Sequence, residues 1–188
     1  MAKRARGANT LTGGTGDVNP QYLNGTITLT AANTFTQVSQ STPKVMIGPA
    51  SGNKAIIMEI LKVFCDLPNT FNPVAGVTAQ AATLSFTTRA NVTAPAAISD
   101  PACFAFFERT SVNSFTAAGS GTYEVTGAPH IWDCTDAAGH GILVATDNIF
   151  IGATTANSTT AGLFGYKIMY RFKEVSLTEY IGIVQSQQ

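Results

Sequence analysis

Charge is scarce in this sequence. Only 12% of its 188 residues are charged, with eleven basic and eleven acidic side chains, so the formal net charge is zero. Solubility must rest on hydroxyls, amides and backbone. An apolar content of 45% with so little charge fits a subunit that is mostly buried in an assembly, because interfaces are depleted in Lys, Glu and Asp. A free-standing β-domain with a threonine-rich surface is the alternative.

Other absences narrow the function. Three cysteines, Cys65, Cys103 and Cys134, are odd in number and lack metal-ligand spacing, which argues against a disulfide framework. No run approaches the ~18 apolar residues of a membrane helix, so no membrane partner is expected. Lys3, Arg4 and Arg6 lead into Gly/Thr-rich sequence rather than an apolar run, so no secretory leader is expected and synthesis inside a cell is the default. There is no GxGxxG before a helix, no phosphate-binding loop and no HExxH. The chain is expected not to be an enzyme and to need no cofactor. At this length it can bury a core of its own without disulfide or metal.

What is present is organised around Leu163–Lys173. From Tyr166 the residues alternate strictly: Tyr166, Ile168, Tyr170 and Phe172 on one side, Lys167, Met169, Arg171 and Lys173 on the other. A period of two predicts a strand with a buried aromatic face and a basic outer face. Its aromatics point to the core, so no stacking platform is expected beside the basic residues. Residues 1–24 read as a flexible basic and Gly-rich arm. Residues 25–188 read as one domain.

Within that domain, Lys54–Phe64 is the most apolar segment and reads as a buried strand, which would put Glu59 and Lys62 on opposite faces. Ser41–Asn53, Asn69–Gln80, Asn91–Pro101 and Thr154–Gly162 read as loops. Cys103–Thr110 fits either a strand or one to two helical turns. Ala81–Arg89, Thr122–Thr126, Ile131–Cys134, Gly141–Ala145 and Ile149–Ala153 are short candidate strands. The pattern predicts an all-β fold of about eight antiparallel strands, a single jelly-roll sandwich, with an immunoglobulin-like sandwich as runner-up.

The C-terminal stretch gathers Tyr180, Ile181, Ile183 and Val184, which are expected to add a strand to the sheet or to dock on another subunit. His130, Asp133, Cys134, Asp136 and His140 form the one cluster with metal-ligand or nucleophile chemistry. They serve either a weak cation site, through His130, Asp133, Asp136 and His140, or a polar turn whose Asp side chains bond backbone. The candidate nucleic-acid contacts are Lys3, Arg4 and Arg6 in the arm and Lys167, Arg171 and Lys173 on the long strand. Six such charges bind feebly in one copy but strongly when repeated around a lumen.

The tail Tyr170–Gln188 (YRFKEVSLTEYIGIVQSQQ) resembles the C-terminal end of capsid proteins from small circular Rep-encoding single-stranded DNA viruses, and Gly52–Phe64 (GNKAIIMEILKVF) is similar to environmental members. The resemblance implies a jelly-roll coat subunit. It would self-assemble with identical copies into a small icosahedral shell, packaging a single-stranded genome without reading its sequence, with the arm's basic residues facing inward. Its place would be the virion, assembled inside the host cell with the nucleus as one candidate compartment. Typical members carry long arginine-rich arms; this arm has three charges. A small RNA-virus coat protein is a neighbouring reading. Two other classes stand beside it: a β-sandwich attachment or carbohydrate-binding module using the loops Asn69–Gln80 and Thr154–Gly162, and a hydrolase built on His130–His140.

Overall fold

The computed structural model describes residues 20–47, 54–68, 79–91, 93–112, 130–158 and 161–187. In chain order these form β1 (Gln21–Thr28), β2 (Phe35–Ser41), β3 (Val45–Ile47), β4 (Lys54–Asp66), β5 (Ala79–Thr87), β6 (Cys103–Val112), β7 (His130–Asp133), β8 (Ile142–Val144), β9 (Asn148–Ala156), β10 (Leu163–Ser176) and α1 (Leu177–Ser186). A front sheet runs β1-β10-β4, and the far edge of β4 is filled along its length by β3, β8 and β7. A back sheet runs β2-β9-β5-β6.

The pairing is nested. β1 pairs β10, β2 pairs β9, β4 pairs β7 and β8, and β5 closes the roll as a hairpin with β6. A ribbon of paired strands wrapped in that way is a jelly roll, and every pairing is antiparallel, as the sequence predicts.

Alternation builds the core between the sheets. Phe164, Tyr166, Ile168 and Tyr170 of β10 face Ile149, Ile151 and Ala153 of β9 and Leu84 and Phe86 of β5 within one buried cluster. Phe86 is its hub, with ring centroids 6.0 Å from Phe104 and Phe107 and 5.8 Å from Tyr166. Such tilted and edge-on contacts add about 0.5–1.5 kcal/mol each beyond burial. Gly25 lets Tyr166 lie across β1, since a Cβ there would come 2.4 Å from the Tyr166 hydroxyl.

The structure differs from the sequence reading at several places. Register along β4 and β10 slips between Met169 and Tyr170, whose partners are Lys62 and Ile60. Leu61 is thus an extra residue, and a bulge reverses the parity of every side chain beyond it. Glu59 and Lys62 therefore share the outer face rather than opposing each other. Next, β1 begins at Gln21 and pairs Asn24 with Lys167, so residues 21–24, placed in the arm, belong to the sandwich. Thirdly, β3 lies within the segment read as the loop Ser41–Asn53.

The fourth is the C-terminal segment, which is a helix and not a strand. Ser176 caps it, its side chain accepting from the Glu179 N–H at 3.2 Å. The Ser-x-x-Glu spacing is a helix-start signal, and Tyr180, Ile183 and Val184 follow at helical intervals. Cys103–Thr110, left open between strand and helix, lies in the strand β6. The candidate strand Thr122–Thr126 lies outside the described residues.

Candidate functional site

Register fixes what the outer face of the front sheet displays. Tyr22, Met169, Lys62 and Asp133 form one row across β1, β10, β4 and β7, and Asn24, Lys167, Phe64 and Ile131 form the next. Arg171 lies opposite Glu59, and Lys173 opposite Ile57. Lys167, Arg171 and Lys173 thus share one face as the alternation predicts, but their situations differ.

Lys167 is exposed, its ammonium 4.2 Å from the ring centroid of Tyr22. Among the described residues it makes no ion pair. Arg171 is committed to the fold. Its Nε donates to Glu59, whose side chain is 1% exposed, and its Nη2 donates to the Gly139 carbonyl at 3.1 Å. The Gly141 N–H completes the carboxylate's shell at 2.9 Å. A Cβ at Gly141 would lie 2.1 Å from the Ile60 carbonyl oxygen, so only glycine brings that N–H close. Burial alone would raise the Glu59 carboxyl; the Arg171 and Gly141 hydrogen bonds and the charges of Arg171 and Lys173 outweigh it and hold it below the ordinary range.

The expectation that aromatics near the basic strand all face the core is corrected. Tyr22 is 52% exposed and Ile131 59% exposed, and with half-buried Phe64 and Met169 they flank Lys167 on the outer face. Tyr22 was hidden by reading residues 1–24 as arm. Its signal is the alternation of Leu23, Gly25 and Ile27 against Tyr22, Asn24 and Thr26.

The four apolar residues of the C-terminal stretch divide on α1. Tyr180 and Ile183 pack on Ala55, Ile57, Val175 and Leu143, covering the other end of the same outer face. Gln187 fastens the helix end, donating to the Leu143 carbonyl at 2.6 Å and accepting from the Ala145 N–H at 3.0 Å. Val184 is half-buried, while Ile181 (47% exposed) and Leu177 (37% exposed) face solvent.

The His130–His140 cluster is taken apart by β7, which turns His130 and Trp132 inward and Ile131 and Asp133 outward. His130 stacks edge-on against Phe107, centroids 6.4 Å apart. Asp133 accepts from Thr135 and pairs with Lys62 at 3.1 Å; the Thr135 bonds, then Lys62, lower it from 3.8 to about 2. Asp136 accepts from the Ala138 and His140 N–H groups, both 2.9 Å, and touches His140 Nδ1 at 3.2 Å. This is the polar-turn reading. Burial, and then Asp133, pushes the Cys134 thiol up to about 12, the reverse of an activated nucleophile. Among the described residues no three His, Cys, Asp or Glu side chains gather for a metal.

Lys3, Arg4, Arg6 and most of the proposed recognition loop Asn69–Gln80 lie outside the described residues. In the other loop, Thr154–Ala156 closes β9 instead.

Together these observations define a jelly-roll β-sandwich with a C-terminal helix laid on one sheet. No protein-family model matches the sequence, and no curated protein sequence matches it. Solved structures do share the fold. VP1 of New Jersey polyomavirus in its apo form is 6% identical over 84% of this chain and 100% of that chain, with a TM-score of 0.51. VP1 of Merkel cell polyomavirus, solved as an unassembled pentamer, is 8% identical over 86% of this chain and 98% of that chain, with a TM-score of 0.50.

Proposed function

We propose that this chain is a viral coat subunit that assembles with identical copies into a closed shell around nucleic acid. The observation that carries the reading is the nested strand order, a wrapped roll of the kind found in the VP1 capsid proteins it is similar to. The charge distribution supports it. A neutral chain keeps exposed Lys167 and half-buried Lys173 on one sheet face, where copies repeated around a lumen would sum their fields. The two segments that resemble Rep-encoding single-stranded DNA virus coats are neighbours in space, since β4 pairs β10 along its length. The finer reading, a small icosahedral shell with a single-stranded genome, is carried by that sequence resemblance alone.

Assembly contacts fall to the solvent side of α1. Leu177 and Ile181 stand one helical turn apart and exposed, while the opposite side of the helix is already spent on its own sheet. The interface role of Tyr180 and Ile183 then becomes indirect: they hold the helix that presents Ile181. Packaging needs no sequence reading, only phosphate neutralisation by the lysines of this face and the arm.

Size-exclusion chromatography with light scattering and negative-stain imaging of the purified chain tests the reading. Closed particles or discrete ring oligomers support it. A monomer at all concentrations would remove it and favour a free-standing module.

A further inference from the structure

We propose that the front-sheet end around Tyr22, Phe64 and Lys167 is a stacking site for the bases of a single-stranded nucleic acid, a proposal that rests on the coat-subunit reading. A shallow hollow of about 500 Å³, largely open to solvent, lies here. Its outer-face lining is Asn24 and Thr26 of β1, Gly165 and Lys167 of β10, and Phe64 and Asp66 of β4. The missing side chain at Gly165 opens it, between Thr26 on one side and Asp66 on the other.

Each part suits a nucleotide. Phe64 offers a flat apolar wall, and Tyr22 a second ring one row away. Asn24, Thr26 and Asp66 put amide, hydroxyl and carboxylate groups where a base edge would lie. Lys167, held over the Tyr22 ring at 4.2 Å and without an ion pair among the described residues, is left to meet a phosphate. Aromatic rings beside a cationic track are how proteins hold single strands without reading sequence. A duplex keeps its base faces stacked on each other and cannot use the site. A second protein copy fits less well, because it would have to bury Lys167 and Asp66 in an interface core, where charge is avoided.

The test measures fluorescence anisotropy of a labelled oligothymidylate of about 15 nucleotides with the full-length protein, against a duplex of the same length, over a salt series. Tyr22→Leu and Phe64→Leu should each weaken single-strand binding about tenfold with the salt slope unchanged. Lys167→Gln should reduce that slope by about 0.7. Gly165→Val, whose Cβ meets nothing nearer than the Asp66 Cβ at 3.5 Å, should fill the hollow and weaken single-strand binding while duplex binding stays the same. Oligothymidylate binding at parent strength by folded Gly165→Val and Lys167→Gln overturns the proposal, and these two decide if an aromatic variant unfolds. Loss of assembly in the variants with oligonucleotide affinity intact also overturns it and gives the face to a second copy. If the parent never assembles yet the variants show the expected losses, the shell reading fails and the stacking site stands.

Discussion

The two outer faces of the sandwich are built by the same alternation and carry opposite chemistry. The front face gathers Glu59, Lys62, Asp66, Asp133, Lys167, Arg171 and Lys173. The back face presents Phe35, Gln37, Ser39, Thr83, Ser85, Phe106, Phe150 and Thr154, with Glu108 as the charged side chain among the described residues of that face. It is partly roofed by the chain after β5, where the Ala96 N–H donates to Ser85 Oγ and the Asn91 N–H to Gln37 Oε1, each at 3.1 Å. A chain with so little charge has not thinned it evenly. The back face has the charge-poor, aromatic-bearing character of protein contacts, whereas the front face keeps its ions, buried Glu59 apart, where water or phosphate can reach them.

The front face also hides its ions unequally, which sets the order of expected effects. The largest should follow truncation after Thr178. That removes Tyr180 and Ile183 from Ala55, Ile57 and Val175, together with the Gln187 bonds, at a cost of about 3 kcal/mol. A truncated chain that melts like the parent would show that the helix contributes nothing to its own sheet.

Next comes Arg171→Gln, which strands the buried Glu59 carboxylate and should cost about 2–3 kcal/mol. Adding Glu59→Gln should recover much of that loss, because an uncharged pair leaves no lone ion. Non-recovery in the double mutant would mean that Arg171 acts through packing and not through Glu59.

Acid should act on the same face. Glu59 and Asp133 both titrate below their ordinary values when folded. Their stabilisation is therefore present above the ordinary carboxylate range and lost as pH falls, for Asp133 between about 4 and about 2. Melting temperature should be flat near neutrality and drop through that window. A melting temperature that rises on acidification would contradict the assignment.

The back face is sharpened by Thr83→Lys. Thr83 is half-buried beside Thr154 and Glu108, so the change should move stability by no more than about 1 kcal/mol yet reduce assembly if this face meets other copies. Assembly at the parent level would leave the back face free of copies. The smallest stability effect, within about 0.5 kcal/mol, is expected for Lys167→Gln with Lys173→Gln, whose consequence should appear instead as less co-purifying nucleic acid.

Much of the fold was legible because β-strands with one buried face print a period of two. β10 was readable from its alternation over Tyr166–Lys173 and the middle of β9 over Ile149–Ala153, and the strand count and turn spacing led to the jelly roll. What stayed hidden was non-periodic. One extra residue, Leu61, moved Glu59 onto the same face as Lys62, and no sequence pattern announces a bulge inside an apolar run. Tyr22 was missed because Gly-rich sequence precedes it and its partner on β10 lies far along the chain. The helix is signalled by Ser176 and Glu179; a reading of Tyr180–Val184 by its density of large apolar residues, as an added strand or a docking segment, passes over that cap. The His130–His140 cluster was compact in sequence but split in space, since adjacent residues of a strand point to opposite faces.

The central claim is that copies of this chain close around nucleic acid. Its most direct test is to express the full-length chain alone, treat the purified material with nuclease, and measure the nucleic acid that survives inside particles of defined size. The coat-subunit account predicts closed particles carrying a nuclease-protected, predominantly single-stranded load that falls when Lys167 and Lys173 are changed to Gln. Monomers, or particles whose entire nucleic acid is digested, would contradict it.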